Sequence, residues 1–205
     1  MKIIVPISSD GNITKQCKKS LGRLGGKYSI VYPNGYDLGT QMCSEIDLNE
    51  DEHFFLDSDI EFDPRDIETL RHCGCDVVSG AYKKSTKDMK IIGNKSWLEG
   101  GNNAFVAGMW SDTPGLIGYM VQDDCTALIP IDWHGTGFCY VKTWVFKKII
   151  DLKQEPVFYH QTIRTDIAKF GVCQTSADLG FCLNLMKINV KPWINCGVQV
   201  RHIKR

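Results

Sequence analysis

An apolar run, Phe54-Phe55-Leu56, stops at Asp57-Ser58-Asp59, which leaves two carboxylates two residues apart at the end of an expected strand. Alternate residues of an extended segment point to one side, so this pair can grip a divalent cation and, through it, a diphosphate. Hard oxygen donors suit Mg²⁺ or Mn²⁺. Ligands of open α/β sheets gather at the carboxyl ends of strands, so an Asp-x-Asp placed there suits a nucleotide-activated substrate. The same residues also read as an acidic turn in which Asp59 or Asp63 caps the next helix.

Three further signatures follow in order. Gly135-Thr136-Gly137-Phe138 leads into a strand, Ser176-Ala177-Asp178-Leu179-Gly180-Phe181-Cys182 opens a helix, and His202 ends the run Val198-Gln199-Val200-Arg201. A carboxylate in a first helical turn, as at Asp178, is stabilised as the anion by free N–H groups and the helix dipole. That stabilisation lowers its pKa and weakens it as a base unless burial opposes it. Glycines beside Thr136 allow close backbone approach to a ligand.

The elements that must position these residues alternate. Lys2–Pro6 reads as a buried strand, followed by a turn at Ser8-Ser9-Asp10-Gly11 and a helix capped by Asn12. Ile13, Cys17, Leu21 and Leu24 recur in that helix at helical spacing, and Gly25-Gly26 ends it. Ser29–Tyr32 is a second strand, Leu38–Ile46 a helix and His53–Leu56 a third strand. Asp63-Pro64, an N-cap followed by proline at the first helical position, starts a helix running to about Cys73, and Asp76–Gly80 is the fourth strand. This order implies an α/β fold with a mainly parallel sheet flanked by helices. From Ala81 to Ile131 the helical period is lost. Gly100-Gly101-Asn102-Asn103 signals a turn, and Ala104–Met109 and Gly118–Val121 read as antiparallel strands or loops. Phe138–Val141 is then a strand, Thr143–Leu152 a helix, Glu155–Gln174 ambiguous, and Trp193-Ile194 and Val198–His202 terminal strand segments.

The chain has 205 residues, 43% hydrophobic and 23% charged, with Lys+Arg and Asp+Glu balanced at 24 each. One soluble domain spanning 1–205 is expected, and nothing in the net charge demands a nucleic acid or membrane partner. The cysteine count, 9, is odd and Met1-Lys2-Ile3-Ile4-Val5-Pro6 is no signal peptide, so reduced thiols and a cytoplasmic location are expected. Cys73-Gly74-Cys75, a lone C-x-C, is a weak metal signal. No apolar run approaches the ~20 residues needed to span a bilayer.

Taken together, the four signatures and their order resemble the GT-A fold glycosyltransferases, in particular compact inverting enzymes of the family-2 type, over nearly the whole chain. The resemblance implies a single GT-A domain with a nucleotide-binding half, 1–80, and an acceptor-binding half, 81–205. Asp57 and Asp59 would hold a divalent metal, Mn²⁺ or Mg²⁺, on the diphosphate of a nucleotide sugar, and His202 would complete the metal shell. An imidazole ligand tilts preference toward Mn²⁺. Asp178 would be the general base, although Ala177 stands where the family usually has a second acid. Pro6, Ser8, Asp37 and Ser58 fall on donor-binding segments, with Gly35-Tyr36-Asp37 departing from the family's Arg-Asn. Trp133, His134, Gly135, Thr136 and Gly137 would line the donor sugar and acceptor, with Asp132 beside them.

The implied activity is that of a hexosyltransferase using a nucleotide sugar such as a UDP-sugar. Its acceptor hydroxyl would lie on a glycan or on a hydroxymethylated DNA base, as for compact phage and viral enzymes, which would put it in the host cytoplasm. Tyr82-Lys83-Lys84, Lys87, Lys90 and the tail Arg201–Arg205 offer a basic rim. Two alternatives stand beside this. A sugar nucleotidyltransferase shares the sheet and the metal, but Ser8-Ser9-Asp10-Gly11 lacks the arginine its loop would need. A non-catalytic nucleotide-sugar or glycan-binding module would tolerate Ala177.

Overall fold

Hydrophobic period and helix capping divide the chain much as the alternation predicts. The computed structural model describes residues 1–7, 11–35, 37–82, 104–110, 116–120, 126–154, 156–160, 162–164, 172–174 and 176–203. Ser8, Ser9, Asp10, Lys83, Lys84, Lys87, Lys90, Gly100–Asn103, Lys204 and Arg205 lie outside the described residues.

The first half runs β1 (Lys2–Ile4), α1 (Lys15–Gly22), β2 (Ser29–Val31), α2 (Leu38–Ser44), β3 (Glu52–Leu56), β4 (Ile60–Glu61), α3 (Pro64–Arg71) and β5 (Val77–Tyr82). Then come β6 (Ala104–Trp110), β7 (Leu116–Met120), β8 (Leu128–Pro130), β9 (Trp133–His134), β10 (Phe138–Lys142) and α4 (Thr143–Asp151). The chain closes with β11 (Thr162–Arg164), β12 (Val172–Gln174), α5 (Ala177–Lys187) and β13 (Trp193–His202). The ambiguous stretch thus contains a short hairpin, β11 with β12.

The central sheet has the order β2-β1-β3-β10-β5-β13-β4, with β8 also paired to β13. Strands β1, β2, β3, β5 and β13 share one direction, while β10 runs antiparallel between β3 and β5. The mainly parallel sheet therefore holds a reversed strand at its centre. A smaller sheet, β7-β6-β9, stands apart from it. Trp193-Ile194 and Val198–His202 form one strand, whose pairing with β5 shifts register between Asn195 and Gln199.

Side-chain alternation along the strands divides the core into two layers. Ile3, Val5, Phe54, Leu56, Val78 and Tyr140 pack with Cys17 and Leu21 of α1 and Ile67 and Leu70 of α3. Ile4, Phe55, Val77, Cys139 and Val141 face the other way, onto Met42 of α2, Val145 and Phe146 of α4 and Phe181 of α5. Burial on both faces explains why these strands read as continuous apolar runs. Each buried Phe contributes on the order of 2–3 kcal/mol.

The helix starts follow capping chemistry. Asp63 caps α3 in a full capping box with Asp66, and proline follows at the first turn. Helix α1 departs from expectation: its cap is Thr14, whose hydroxyl accepts the Cys17 N–H at 3.3 Å, and Asn12 lies outside the helix. Thr14 has the extended backbone an N-cap needs. Gly25 and Gly26 follow α1 with φ of +63° and +72°, which a side chain would disfavour. Every cysteine whose side chain is described is a free thiol. Among the described residues no helix is long and apolar enough to cross a membrane.

Candidate active site

Asp57, Asp59 and His202 converge at the carboxyl end of β3, each offering one ligand atom within 4.8 Å of the others. Convergence arises differently from the extended geometry expected. The segment is a turn, closed by the Ile60 N–H donating to the Asp57 carbonyl at 3.1 Å. Three neighbours then fix it. The Asp57 N–H donates to Gly137 O at 2.8 Å, the Ser58 carbonyl accepts the Thr14 N–H at 2.9 Å, and the Asp59 carbonyl accepts the Ile203 N–H at 2.8 Å.

His202 arrives through the short pairing of β4 with β13, which sets His202 opposite Ile60. Its Nε2 lies 3.2 Å from Asp59 Oδ1, and both side chains keep about a quarter of their surface open to solvent. Ser58 is buried at 5% exposure, leaving the two carboxylates and the imidazole as the outward-facing donors. Two carboxylates and an imidazole are a donor set that fits Mn²⁺ or Mg²⁺.

The Gly135–Phe138 segment connects this cluster to a third carboxylate. Gly137 holds Asp57, while the hydroxyl of the adjacent Thr136 donates to Asp178 Oδ1. Asp178 stands in the first turn of α5, behind the Ser176 cap. Burial raises its pKa above the usual carboxylate range, opposed by hydrogen bonds from the Thr136 hydroxyl and amide and by the charge of His160. Burial is the larger influence, so the weakening expected from the helix terminus is overcome. Burial also holds the neighbouring thiols in the neutral form, Cys182 pushed up to about 12 and Cys139 raised by the same cause.

The remaining sequence-selected residues are placed as follows. His134 is 1% exposed, with Nδ1 donating to Gly135 O at 2.8 Å and burial pushing its pKa down to about 4. It is a neutral core histidine, and its Nε2 meets no partner among the described residues. The Trp133 Nε1 likewise meets none there. Asp132 pairs with Lys191. Pro6 is buried beside the bridge between Ile7 and Asn34. Asp37 caps α2 through the Thr40 N–H at 2.6 Å and pairs with His160 at 3.0 Å. Thr14 and His160 were not singled out in the sequence. A second capping residue two positions after Asn12 was the available signal for Thr14, and His160 had none, because its segment shows no period.

Neither a family model nor a curated protein sequence matches the chain. Among solved structures, A197 from STIV is similar at a TM-score of 0.59 and 15% identity, over 100% of this chain and 87% of that one. GalNAc-T7, solved with UDP, GalNAc and Mn²⁺, is similar at a TM-score of 0.54 and 8% identity, over 100% of this chain and 44% of that one. At such identities the likeness establishes the fold, which this chain shares with a glycosyltransferase.

Proposed function

We propose that the protein is an inverting, metal-dependent glycosyltransferase that moves a sugar from a nucleotide sugar, a UDP-sugar, to an acceptor hydroxyl on a glycan or a hydroxymethylated DNA base. The observation that carries this reading is the Asp57–Asp59–His202 cluster at the strand ends, joined through Gly137 and Thr136 to Asp178. Asp57, Asp59 and His202 hold the cation, with Mn²⁺ favoured by the imidazole. When bound, it neutralises charge on the departing nucleoside diphosphate.

Asp178 accepts the proton of the acceptor hydroxyl as that oxygen attacks the anomeric carbon from the face opposite the leaving group. A carboxylate whose pKa burial raises is better matched to that transfer. Pro6, Ser8, Asp37 and Ser58 border the donor within residues 1–80. Trp133 to Gly137 position donor sugar and acceptor within residues 81–205, supplying the orientation that a bimolecular reaction needs.

The test is UDP release from a panel of UDP-sugars with Mn²⁺ and acceptors, with the anomeric configuration of the product read by NMR. Metal-dependent release that Asp178→Asn abolishes while donor binding persists is the expected result. Pyrophosphate released from a nucleoside triphosphate and a sugar phosphate would mean nucleotidyl transfer instead. Donor binding without turnover across the panel would mean a binding module.

A further inference from the structure

Charge in this chain is balanced in sum but segregated along the sequence. Residues 11–36 carry Lys15, Lys18, Lys19, Arg23 and Lys27 and no aspartate or glutamate, although Lys+Arg and Asp+Glu are 24 each overall. The lysines that pair with a carboxylate among the described residues are Lys2, Lys27, Lys142 and Lys191. Lys15, Lys18 and Lys19 are not among them, and all three are exposed.

Helix α1 sets the direction in which these cations point. Its inner side, Cys17, Ser20 and Leu21, is buried, and the Ser20 hydroxyl donates to Phe62 O at 2.8 Å, which fixes the roll of the helix. Lys15, Lys18, Lys19 and the exposed Arg23 recur at the three- and four-residue spacing of one helix face. From Lys15 to Arg23 the stripe runs about 12 Å along the axis. Arg23 is tied down by donating to Ser20 Oγ at 3.1 Å and to Phe62 O, so the three lysines are its movable charges.

Helix stability does not account for this stripe. The first turn of α1 holds no acid, and Lys15 and Lys18 stand at the helix end where anions are favoured. Lys15 with Lys19, and Lys19 with Arg23, are like charges four residues apart, which weakens a helix. The stripe also starts beside the metal turn, because Thr14, the residue before Lys15, donates its N–H and its hydroxyl to the Ser58 carbonyl. The other exposed residues of α1 are Gln16 and Gly22, so this face has no apolar side chain to enter a bilayer, as an interfacial helix requires.

We propose that the exposed face of α1, Lys15, Lys18 and Lys19 with Arg23 at its end, is a docking strip for the phosphate backbone of duplex DNA, which it leads to the metal turn. This deepens the proposed function by selecting the DNA acceptor over the glycan, and it rests on that reading for the choice of DNA. A stripe of about 12 Å matches three to four phosphates of one strand at 3.4 Å each along the duplex axis. Contacts of this kind position a duplex without reading its sequence.

The test is fluorescence anisotropy of a labelled duplex of about 20 base pairs, titrated with the full chain between about 50 and 200 mM NaCl. In the variant carrying Lys15→Gln, Lys18→Gln and Lys19→Gln the slope of log affinity against log salt is expected to be shallower by about 2.7, and affinity at the lower salt to fall at least tenfold. Each single substitution should remove about one third of the slope change, while Lys→Arg at all three positions retains binding. The triple Gln variant should melt no lower than the parent, since it relieves like-charge contacts. No duplex binding by the parent, or an unchanged slope in the triple Gln variant, overturns the strip. Tighter binding to an RNA duplex of the same sequence overturns the assignment to DNA, and a lysine-dependent affinity for phosphatidylserine vesicles above that for the duplex overturns it in favour of a membrane. Lysine-dependent duplex binding in a protein that transfers no sugar supports the strip and removes the transferase reading. Sugar transfer to a glycan without duplex binding does the reverse.

Discussion

The carbonyl of Ser58 receives both the backbone N–H of Thr14, at 2.9 Å, and its hydroxyl, at 3.3 Å. The same hydroxyl oxygen accepts the Cys17 N–H and so caps α1. One threonine therefore anchors a helix start to the middle residue of the Asp-x-Asp turn. Thr14→Val should lose about 1 kcal/mol of stability from the missing cap and weaken Mn²⁺ binding severalfold, whereas Thr14→Ser should retain both. Urea denaturation and Mn²⁺ calorimetry check this, and normal Mn²⁺ affinity in Thr14→Val would break the link between cap and turn.

Asp59 pairs with His202, and its carbonyl is held by Ile203 through the backbone alone. Asp59→Asn should therefore keep the fold while reducing Mn²⁺ affinity by at least about tenfold, on the scale of losses seen around metal sites. His202→Gln should fall in the same direction. Calorimetry against MnCl₂, with a melting curve for each variant, reads both, and unchanged affinity in the pair of variants would rule out the cluster as the metal site.

Gly180 is a helix-interior glycine, where alanine ordinarily gains up to ~1 kcal/mol. Here the Tyr159 carbonyl oxygen occupies the space, 2.0 Å from where the methyl would stand. The sign should reverse, with Gly180→Ala destabilising by roughly 1–3 kcal/mol through forced backbone shifts. A urea midpoint at or above the parent's would show that the 156–160 segment does not pack on α5 as described.

Acid should destabilise the fold before the carboxylates titrate. His53 is fully buried, its Nε2 accepting the Asp47 N–H at 3.0 Å and its Nδ1 3.0 Å from the Thr143 hydroxyl. Burial pushes its pKa down to about 4, as it does for His134. The unfolded chain titrates these imidazoles near 6.5, so between about pH 4 and 6.5 it binds protons that the folded chain does not. Stability is then full above pH 6.5 and falls as the pH drops, by up to ~1.4 kcal/mol per pH unit for each histidine. Urea midpoints at pH 7.5, 6 and 5 should fall in that order, and a flat series would contradict neutral burial of both rings.

Much of this was legible in local sequence because the signals were local. The alternation from β1 to β5 carries its own periods, and Asp63-Pro64 announces α3 by capping chemistry alone. Phe138–Val141 was recognisable as a strand, yet an apolar run holds no information about direction, so its reversed place between β3 and β5 emerged only from long-range pairing. The same limit applies to Ile60-Glu61, too short to read as a strand, although its pairing with β13 is what brings His202 to Asp59. Asp57 and Asp59 were identified by type and spacing, but their convergence depends on a turn rather than on the extended backbone the spacing implied. His160 became visible only through contacts that Tyr159 and Asp37 make with distant helices.

Thr136 and Gly137, consecutive in the chain, reach opposite ends of the proposed reaction, one holding the base and the other the metal turn. A peptide unit spans less than 4 Å between α-carbons, so a single short strut of backbone separates the two contacts. On the proposed mechanism, a shift at Asp57 is expected to reach Asp178 through these two residues. Selection for a looser donor grip would consequently spoil alignment at the acceptor, and redesign of either specificity has the best prospects in the flanking walls, with the strut left intact.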